Sequence, residues 1–535
     1  MCGIWALLGK GYTKEQVQTL LNNLSKRGPE SFRIMDHPSF QVGFTRLAIN
    51  GLNESGMQPM FNDDIVWVCN GEIYNWKELA EQYSISISGS DCSILGPLFQ
   101  ILRYRVDVKT FFRILDGVFS MVIIDEKRNM ALVARDPYGV RPLFVCDSGT
   151  NVMFASELKA LSVGEGDKVY SFPPGHFGLY DLKEAKCIYL GSYHTVPWLK
   201  NVEYSDPVNA ACALAGSLKS AVKKRMMMER PVAALLSGGL DSSLIAALVQ
   251  KELVEAGKSP LKTFSIGFEG SEDLKYARIV ANHIKSDHTE VVMTPEKFFE
   301  AVPEVIKAIE SFDITTVRAS VGNYLVCREI SKHSDCKVVF NGDGSDEVFG
   351  GYMYFFNAPS AEEFEDETTR LLEDIHLFDV LRSDRCISSH GLEPRTPFLD
   401  KQFVSVAKSI STELRRPSKL NWPEKQILRL AFLDTNLLPY SVLTRKKEAF
   451  SDGVSGLKKS WYQECQERAL EMVGPDWKRH AGFFEHLTPQ TAEAYYYRTI
   501  FHELYAPAEK CVVPYHWMPR WAPGATDPSA RTLIL

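Results

Sequence analysis

The stretch Val232-Ala233-Ala234-Leu235-Leu236-Ser237-Gly238-Gly239-Leu240-Asp241-Ser242-Ser243 decides the fold. A short apolar run reads as strand Val232–Leu236. It ends in a glycine turn, and apolar spacing of helical period resumes over Ser242–Glu255. Glycines at such a junction let backbone N–H groups face an anion, and the helix N-terminus adds positive partial charge. A phosphate loop of the usual kind would end Gly-Lys-Ser, which is absent. Asp241 instead sits inside the loop, a carboxylate suited to Mg²⁺ carried by a polyphosphate.

The same rhythm continues on both sides. Helix Val208–Met228 precedes the stretch. Strand Leu261–Gly267, helix Glu272–Ile284, strand Glu290–Met293, helices Glu296–Ser311 and Arg318–His333, and strand Lys337–Asn341 follow it. Regular alternation predicts an α/β unit with a parallel sheet covered on both faces. From Ala361 onward the pattern is mostly helical, and the acidic run Glu362–Glu367 reads as a solvated helix face. The first ~200 residues are β-rich instead. Candidate strands are Gly3–Leu8, Gln41–Ile49, Ile65–Cys69, Val118–Asp125, Met130–Ala134 and Val152–Ala155, with a capping box opening a helix at Thr13. They predict an α+β unit of antiparallel sheets stacked face to face with helices outside. At 535 residues the chain exceeds one core, and the cut falls near residue 205, into 1–205 and 206–535.

Hydrophobic residues at 45% and charged residues at 24% are ordinary for a globular protein. A net charge of −7 without a long Lys/Arg run argues against a nucleic-acid or membrane-surface partner. The 11 cysteines form no CxxC pair, which fits a reducing compartment rather than a disulfide framework or a zinc site. No apolar run is long enough to span a membrane, and the run after Cys2 is too short for a signal peptide, so the expected location is cytoplasmic.

Cys2 is the first chemical clue. Removal of Met1 would leave it a free α-amine, of ordinary pKa about 7.7–8.0, as general base for the thiol. Asn70-Gly71 offers a side-chain amide beside a backbone N–H, donors suited to an oxyanion, although Asn-Gly is also a hairpin turn signal. Together, Cys2-Gly3-Ile4, Arg27-Gly28-Pro29, Arg46-Leu47, Asn70 to Asn75, Gly89-Ser90-Asp91 and Asp136-Gly139-Arg141-Pro142-Leu143 resemble the class II glutamine amidotransferases, which are N-terminal-nucleophile hydrolases. The resemblance implies that Cys2 attacks the glutamine side-chain amide and that Asn70 and Gly71 stabilise the oxyanion. Arg46, the backbone of Leu47, Ala48, Ile49 and Asn50 after it, Asn70, Gly71, Glu72 and Asp91 would hold glutamine. A free amino acid carries one carboxylate and one ammonium, which an Arg and two acids match. Lys26, Glu30 and Ser93 depart from the family's usual His, Asp and Glu.

The Ser237–Ser243 loop resembles that of the ATP pyrophosphatase superfamily, and a second signature, Asn341-Gly342-Asp343-Gly344-Ser345-Asp346-Glu347, follows another strand. Ser265-Ile266-Gly267, Asp313 to Ser320, Gly391-Leu392-Glu393, Pro397 to Asp400, Arg445, Lys447 to Gly453 and Thr526 to Ser529 extend the match. The whole set is similar to the glutamine-hydrolysing asparagine synthetase family. That implies ATP binding by Leu235, Ser237, Gly238, Gly239, Asp241, Ser242, Ile266, Asn341 and Gly342, with Mg²⁺ shared by Asp241 and Asp346. It implies catalytic roles for Asp343 and Lys447, aspartate activated as β-aspartyl-AMP, ammonia crossing an internal tunnel, and often a homodimer. The substrates would be glutamine, aspartate and ATP.

The family loop carries Ser and Glu where this chain has Asn341 and Asp343. One methylene retracts the carboxylate by roughly an ångström, a misplacement that can cost about 100-fold. Pro394 and Thr396 replace common Val residues. Two alternatives stay open: a relative acting on another carboxylate, including a β-lactam-forming synthetase, and a non-enzymatic descendant.

Overall fold

The computed structural model describes all residues except 10, 88, 198–201, 419–422, 448–452, 456–458, 523, 526 and 530–535. Glu448 to Asp452 and Thr526 of the quoted motifs therefore lie outside the described residues.

The amino-terminal unit holds two six-stranded sheets. The first runs, edge to edge, through Lys168–Ser171, Phe144–Asp147, Val152–Ala155, Gly3–Leu8, Phe40–Arg46 and Ser31–His37. The second runs through Lys186–Ser192, His176–Asp181, Met130–Arg135, Gly117–Asp125, Ile65–Ile73 and Met60–Asn62. Neighbouring strands pair antiparallel throughout both sheets. Ile4, Ala6 and Leu8 of the first sheet share one core with Val66, Val68, Val122 and Ile124 of the second. Those residues alternate along their strands, so one face of each sheet points into the space between them. The expected helix opens at Thr13, whose side chain and that of Gln16 form the capping box.

The third sheet is parallel, in the order Asp287–Val292, Lys262–Gly267, Val232–Leu235, Val338–Phe340, Glu393–Arg395. Ala233 packs in one hydrophobic cluster and Val232 and Ala234 in another, so both faces are covered, as the alternation predicted.

Two expectations about these elements need correction. The helix expected over Glu296–Ser311 is broken into Pro295–Glu300 and Val302–Ile309, with Pro303 at the start of the second piece where its missing N–H costs nothing. The carboxy-terminal region is mostly helical, as expected, and Glu393–Arg395 adds the sheet's last strand; Pro394 is tolerated there because the strand lies at an edge. The acidic run is only partly a solvated face, with Glu362 and Asp366 exposed. Glu365 and Glu367 are buried, Glu365 against Lys408 (2.9 Å) and Thr412 (2.7 Å) and Glu367 against Tyr354 (2.7 Å). They share the inner helix face with Phe364 and Leu371, where only paired carboxylates are stable.

The two units meet along a buried, charged seam. Arg27 donates to Glu157 (2.8 Å) on its own side and to Asp384 (2.7 Å) across it. Arg385 donates to Glu310 (2.8 Å) and lies 3.5 Å from Glu157. Lys224 reaches across to Asp116 (2.6 Å) and, with Arg225, also meets Asp400 of its own unit at 2.8 and 2.7 Å. No described helix is long and apolar enough to cross a membrane, and every described cysteine is a free thiol.

Candidate active sites

Cys2 immediately precedes the central strand Gly3–Leu8, and its carbonyl accepts from Arg27 Nε at 3.0 Å, which fixes the backbone. The thiol donates to the Leu47 carbonyl at 3.5 Å. With Met1 in place the α-amine belongs to Met1 and donates to Leu392 O at 3.2 Å across the seam. Burial lowers that amine to about 5 and pushes the Cys2 thiol up to about 11.

Asn70 and Gly71 are not a hairpin turn. The strand expected to end at Cys69 continues to Ile73, with Asn70 opposite Ser120 and Gly71 opposite Phe119. Continuous pairing with the neighbouring strand outweighs the local turn preference. A methyl group at Gly71 would fall 2.2 Å from the Val118 carbonyl oxygen, so only glycine fits. Asn70 is fully buried, and neither Nδ2 nor Oδ1 has a hydrogen-bond partner among the described residues. Leaving such a group unpaired costs about 1–3 kcal/mol, so it marks a place for a polar ligand.

The acids gather nearby. Glu72 Oε2 accepts from Asn50 Nδ2 at 2.8 Å. Burial raises the Glu72 carboxyl well above the usual range, with Arg395 opposing. Asp91 accepts the Ile73 N–H at 2.6 Å, and burial raises it to about 6. Arg46 is anchored to the Asn53 carbonyl (2.8 Å) and the Gly51 carbonyl. Ala48 and Ile49 also reach the seam: the Ala48 N–H donates to Glu30 (2.8 Å), its carbonyl accepts from Arg230 (2.8 Å), and the Ile49 carbonyl accepts the Glu229 N–H (3.0 Å). Glu30 also meets Arg230 at 2.7 Å, so the family's departure at this position ties the two units together.

The second site is a cavity of about 230 Å³ at the carboxyl ends of the parallel strands, where ligands bind in such sheets. Leu235, Ser237, Gly239, Asp241, Ser242, Ile266, Asn341, Gly342, Asp343, Asp346 and Lys447 all line it. Gly238 is in the left-handed region at φ 72°, where an added Cβ would lie 2.4 Å from the Ala277 backbone nitrogen. Asp241 belongs to the first turn of helix Leu240–Glu255 rather than to the loop, because the helix begins directly after Gly239. The second loop packs onto it: a Cβ on Gly342 would fall 2.8 Å from the Ser242 nitrogen.

Asp241 and Asp346, from different strand ends, converge on one ammonium. Lys425 Nζ lies 2.7 Å from Asp241 Oδ2 and 2.6 Å from Asp346 Oδ1, and Lys447 Nζ is 2.6 Å from Asp346 Oδ2. Burial opposes the charge of Asp346, but the two lysines hold its carboxyl far below the usual range. Burial likewise opposes the Lys447 charge, and Asp346 and Asp241 keep it protonated. Two carboxylates facing one cation fit Mg²⁺, which takes one or two carboxylates together with phosphate oxygens. No described cluster of three or more His, Cys, Asp or Glu forms an all-protein metal cage.

Sequence reasoning missed Lys425, which lies in no glycine-rich motif; its positive φ of 56° appears only in three dimensions. It also missed Arg382, whose Nη2 donates to Asp343 (3.2 Å) and Asp379 (2.6 Å). Burial raises the Asp343 carboxyl and Arg382 opposes this. Asn341 does not crowd Asp343: its Nδ2 donates to Ser383 (2.6 Å) and its Oδ1 accepts the Asp343 N–H (3.3 Å). Arg445 donates to the Ser237 carbonyl (3.3 Å) and to Asp273 (2.7 Å), bracing the first loop. Arg318 binds Asp527 of the tail motif at 2.9 and 2.8 Å, bringing Pro528 and Ser529 to the cavity wall.

Residues 213–369 and 356–527 match the asparagine synthase family, and residues 1–170 match the glutamine amidotransferase domain family. The glutamine-hydrolysing asparagine synthetase of Gallus gallus is 43% identical over 566 residues, covering 100% of this chain and 98% of the relative. The Homo sapiens enzyme is 41% identical over 560 residues, with coverages of 100% and 98%, and the Mus musculus enzyme 40% identical with the same coverages.

Proposed function

We infer the roles of individual residues from one premise: this chain belongs to the glutamine-hydrolysing asparagine synthetases. It is a carbon–nitrogen ligase of asparagine biosynthesis, with glutamine as nitrogen donor and ATP as energy source. In our reading residues 1–205 form an N-terminal-nucleophile glutaminase domain and residues 206–535 the synthetase domain.

In the first domain, loss of Met1 puts the α-amine on Cys2. That amine takes the thiol proton as Sγ attacks the glutamine side-chain carbonyl, and the Asn70 amide and Gly71 N–H receive the oxyanion. Collapse expels ammonia, which leaves with the proton, and water hydrolyses the glutamyl thioester to glutamate. Arg46 faces the α-carboxylate of glutamine, and Glu72 and Asp91 its α-ammonium.

In the second domain the Ser237–Gly239 turn and the following helix end receive the pyrophosphoryl group. Leu235, Ile266, Asn341 and Gly342 border the nucleotide. The β-carboxylate of aspartate attacks the α-phosphorus, the bridging P–O bond breaks, and pyrophosphate leaves. When bound, Mg²⁺ held by Asp241 and Asp346 would neutralise polyphosphate charge. Lys447 stabilises developing negative charge on the phosphoryl group. Asp343, held by Arg382, meets the aspartate-activation chemistry. Ammonia then attacks the acyl carbon through a water-excluding path between the domains, and AMP departs with asparagine.

The convergence of Asp241 and Asp346 on one cation position beside the Ser-Gly-Gly turn carries this reading. Incubation with glutamine, aspartate and Mg-ATP tests it: asparagine must accumulate together with AMP. ADP as the nucleotide product would remove the adenylate step.

A further inference from the structure

We propose that Arg395, which belongs to the synthetase domain, is a positioning residue of the glutaminase site: its guanidinium, 3.1 Å from Glu72, holds that side chain in place for the α-ammonium of glutamine and favours its carboxylate form. The proposal rests on the glutamine-binding reading of Glu72.

The geometry is specific. Arg395 is fully buried at the end of the edge strand Glu393–Arg395 and reaches across the seam. Its Nη2 lies 3.1 Å from Glu72 Oε1 and 2.7 Å from Glu393 Oε1, and its guanidinium stands 5.8 Å over the Tyr74 ring. Glu72 is 3% exposed; its contact with Arg395 is an ion pair, and its side-chain hydrogen bond comes from Asn50 Nδ2. A buried carboxyl with a single neutral donor favours its uncharged form, which has little attraction for an ammonium. Facing Glu72 are Asp91 and Glu393, which add negative charge, the Tyr74 ring, and Arg395 and Arg141, which oppose protonation. Arg395 is the largest opposing charge. The same segment touches the site a second time, through the Leu392 carbonyl at the Met1 amine. Met1, which precedes the cysteine nucleophile, and the glutamine-binding acid thus both contact the segment Leu392–Arg395 of the other domain. The Arg395 side chain itself lies away from the synthetase cavity; only its carbonyl meets that side, accepting the Asn341 N–H at 3.1 Å.

The test measures glutaminase kinetics on the full chain for Arg395→Met, Arg395→Lys, Glu72→Gln and Glu72→Gln with Arg395→Met. Ammonia-dependent asparagine formation reports on folding. Arg395→Met should raise the glutamine KM roughly tenfold to a hundredfold, the scale of losing a charged partner. Arg395→Lys should recover most of it. In the parent, KM should fall as pH rises and Glu72 ionises, and Arg395→Met should move that fall to higher pH. The double variant should be little worse than Glu72→Gln alone, because both act through one carboxylate. Glu72→Gln raising KM while Arg395→Met leaves both KM and its pH profile unchanged would overturn the proposal, as would additive losses in the double variant. An unaltered KM in Glu72→Gln would instead remove the reading of Glu72, and this proposal with it. If Arg395→Met loses ammonia-dependent synthesis through misfolding, Arg395→Lys and its pH profile decide in the same way.

Discussion

A buried amide without partners and a thiol beside a carbonyl carry most of the chemistry of the first site. Cys2→Ala should abolish glutaminase activity by at least about 10³-fold, because no other thiol precedes the central strand. Asparagine formation from ammonium salts should persist, and retained glutamine hydrolysis in that variant would remove Cys2 as nucleophile. Asp343 poses the second residue-scale question. Its carboxylate is shorter than the family's, yet Arg382 at 3.2 Å holds it and Asn341 turns toward Ser383. Lengthening it meets no obstruction from Asn341. Asp343→Glu should therefore match or exceed the parent rate with saturating ammonia, while Asp343→Ala should lose about 100-fold or more. AMP and asparagine release report both, and an active Asp343→Ala would place aspartate activation elsewhere.

At the scale of elements, the synthetase site is a contact between two loops. The glycine turn after Val232–Leu235 and the turn after Val338–Phe340 pack closely because Gly342 has no side chain. Their acids are bridged by Lys425, which enters from a segment far along the chain. Lys425→Met leaves Asp241 and Asp346 facing each other with less compensating charge. Ammonia-dependent synthesis should fall by roughly 10–100-fold, the scale of one lost charged hydrogen bond, with excess Mg²⁺ recovering part of the loss. Glutaminase activity at the other site gives the comparison, and equal losses in both activities would indicate misfolding instead.

The whole molecule is held by ionised acids buried in its seam. Burial opposes the charge of Glu157, but Lys159, Arg27 and Arg385 lower its pKa to about 2; Arg225 and Lys224 lower Asp400 to about 2 in the same way. Unfolded carboxyls titrate near 4, so the folded chain binds fewer protons below that pH. The stabilising contribution is complete above about pH 4.5 and is lost as pH falls toward 2. Denaturant midpoints measured from pH 6 to pH 3 should drop most steeply below about 4.5, and Glu157→Gln should flatten part of that fall. A pH-independent midpoint over this range would show that the seam charges contribute nothing net to stability.

The glycine turn, the alternating strands and helices, the amidotransferase motifs and Asp241, Asp343 and Asp346 could all be read along the chain, because each depends on neighbours within a few residues or on a motif of fixed spacing. Tertiary structure decided what depends on distant partners. The Asn70-Gly71 pair became mid-strand because the strand Gly117–Asp125 pairs across it. Glu365 and Glu367 went inside because Lys408 and Tyr354 were there to meet them. Lys425 and Arg382 carried no local signal, since a lone Lys or Arg is ordinarily a surface residue, and Arg395, though it lies between two quoted motifs, carried none for the first site. Each gained its place only when folding brought a buried carboxylate within reach, and a charge whose partner lies tens or hundreds of residues away leaves no mark in its own sequence.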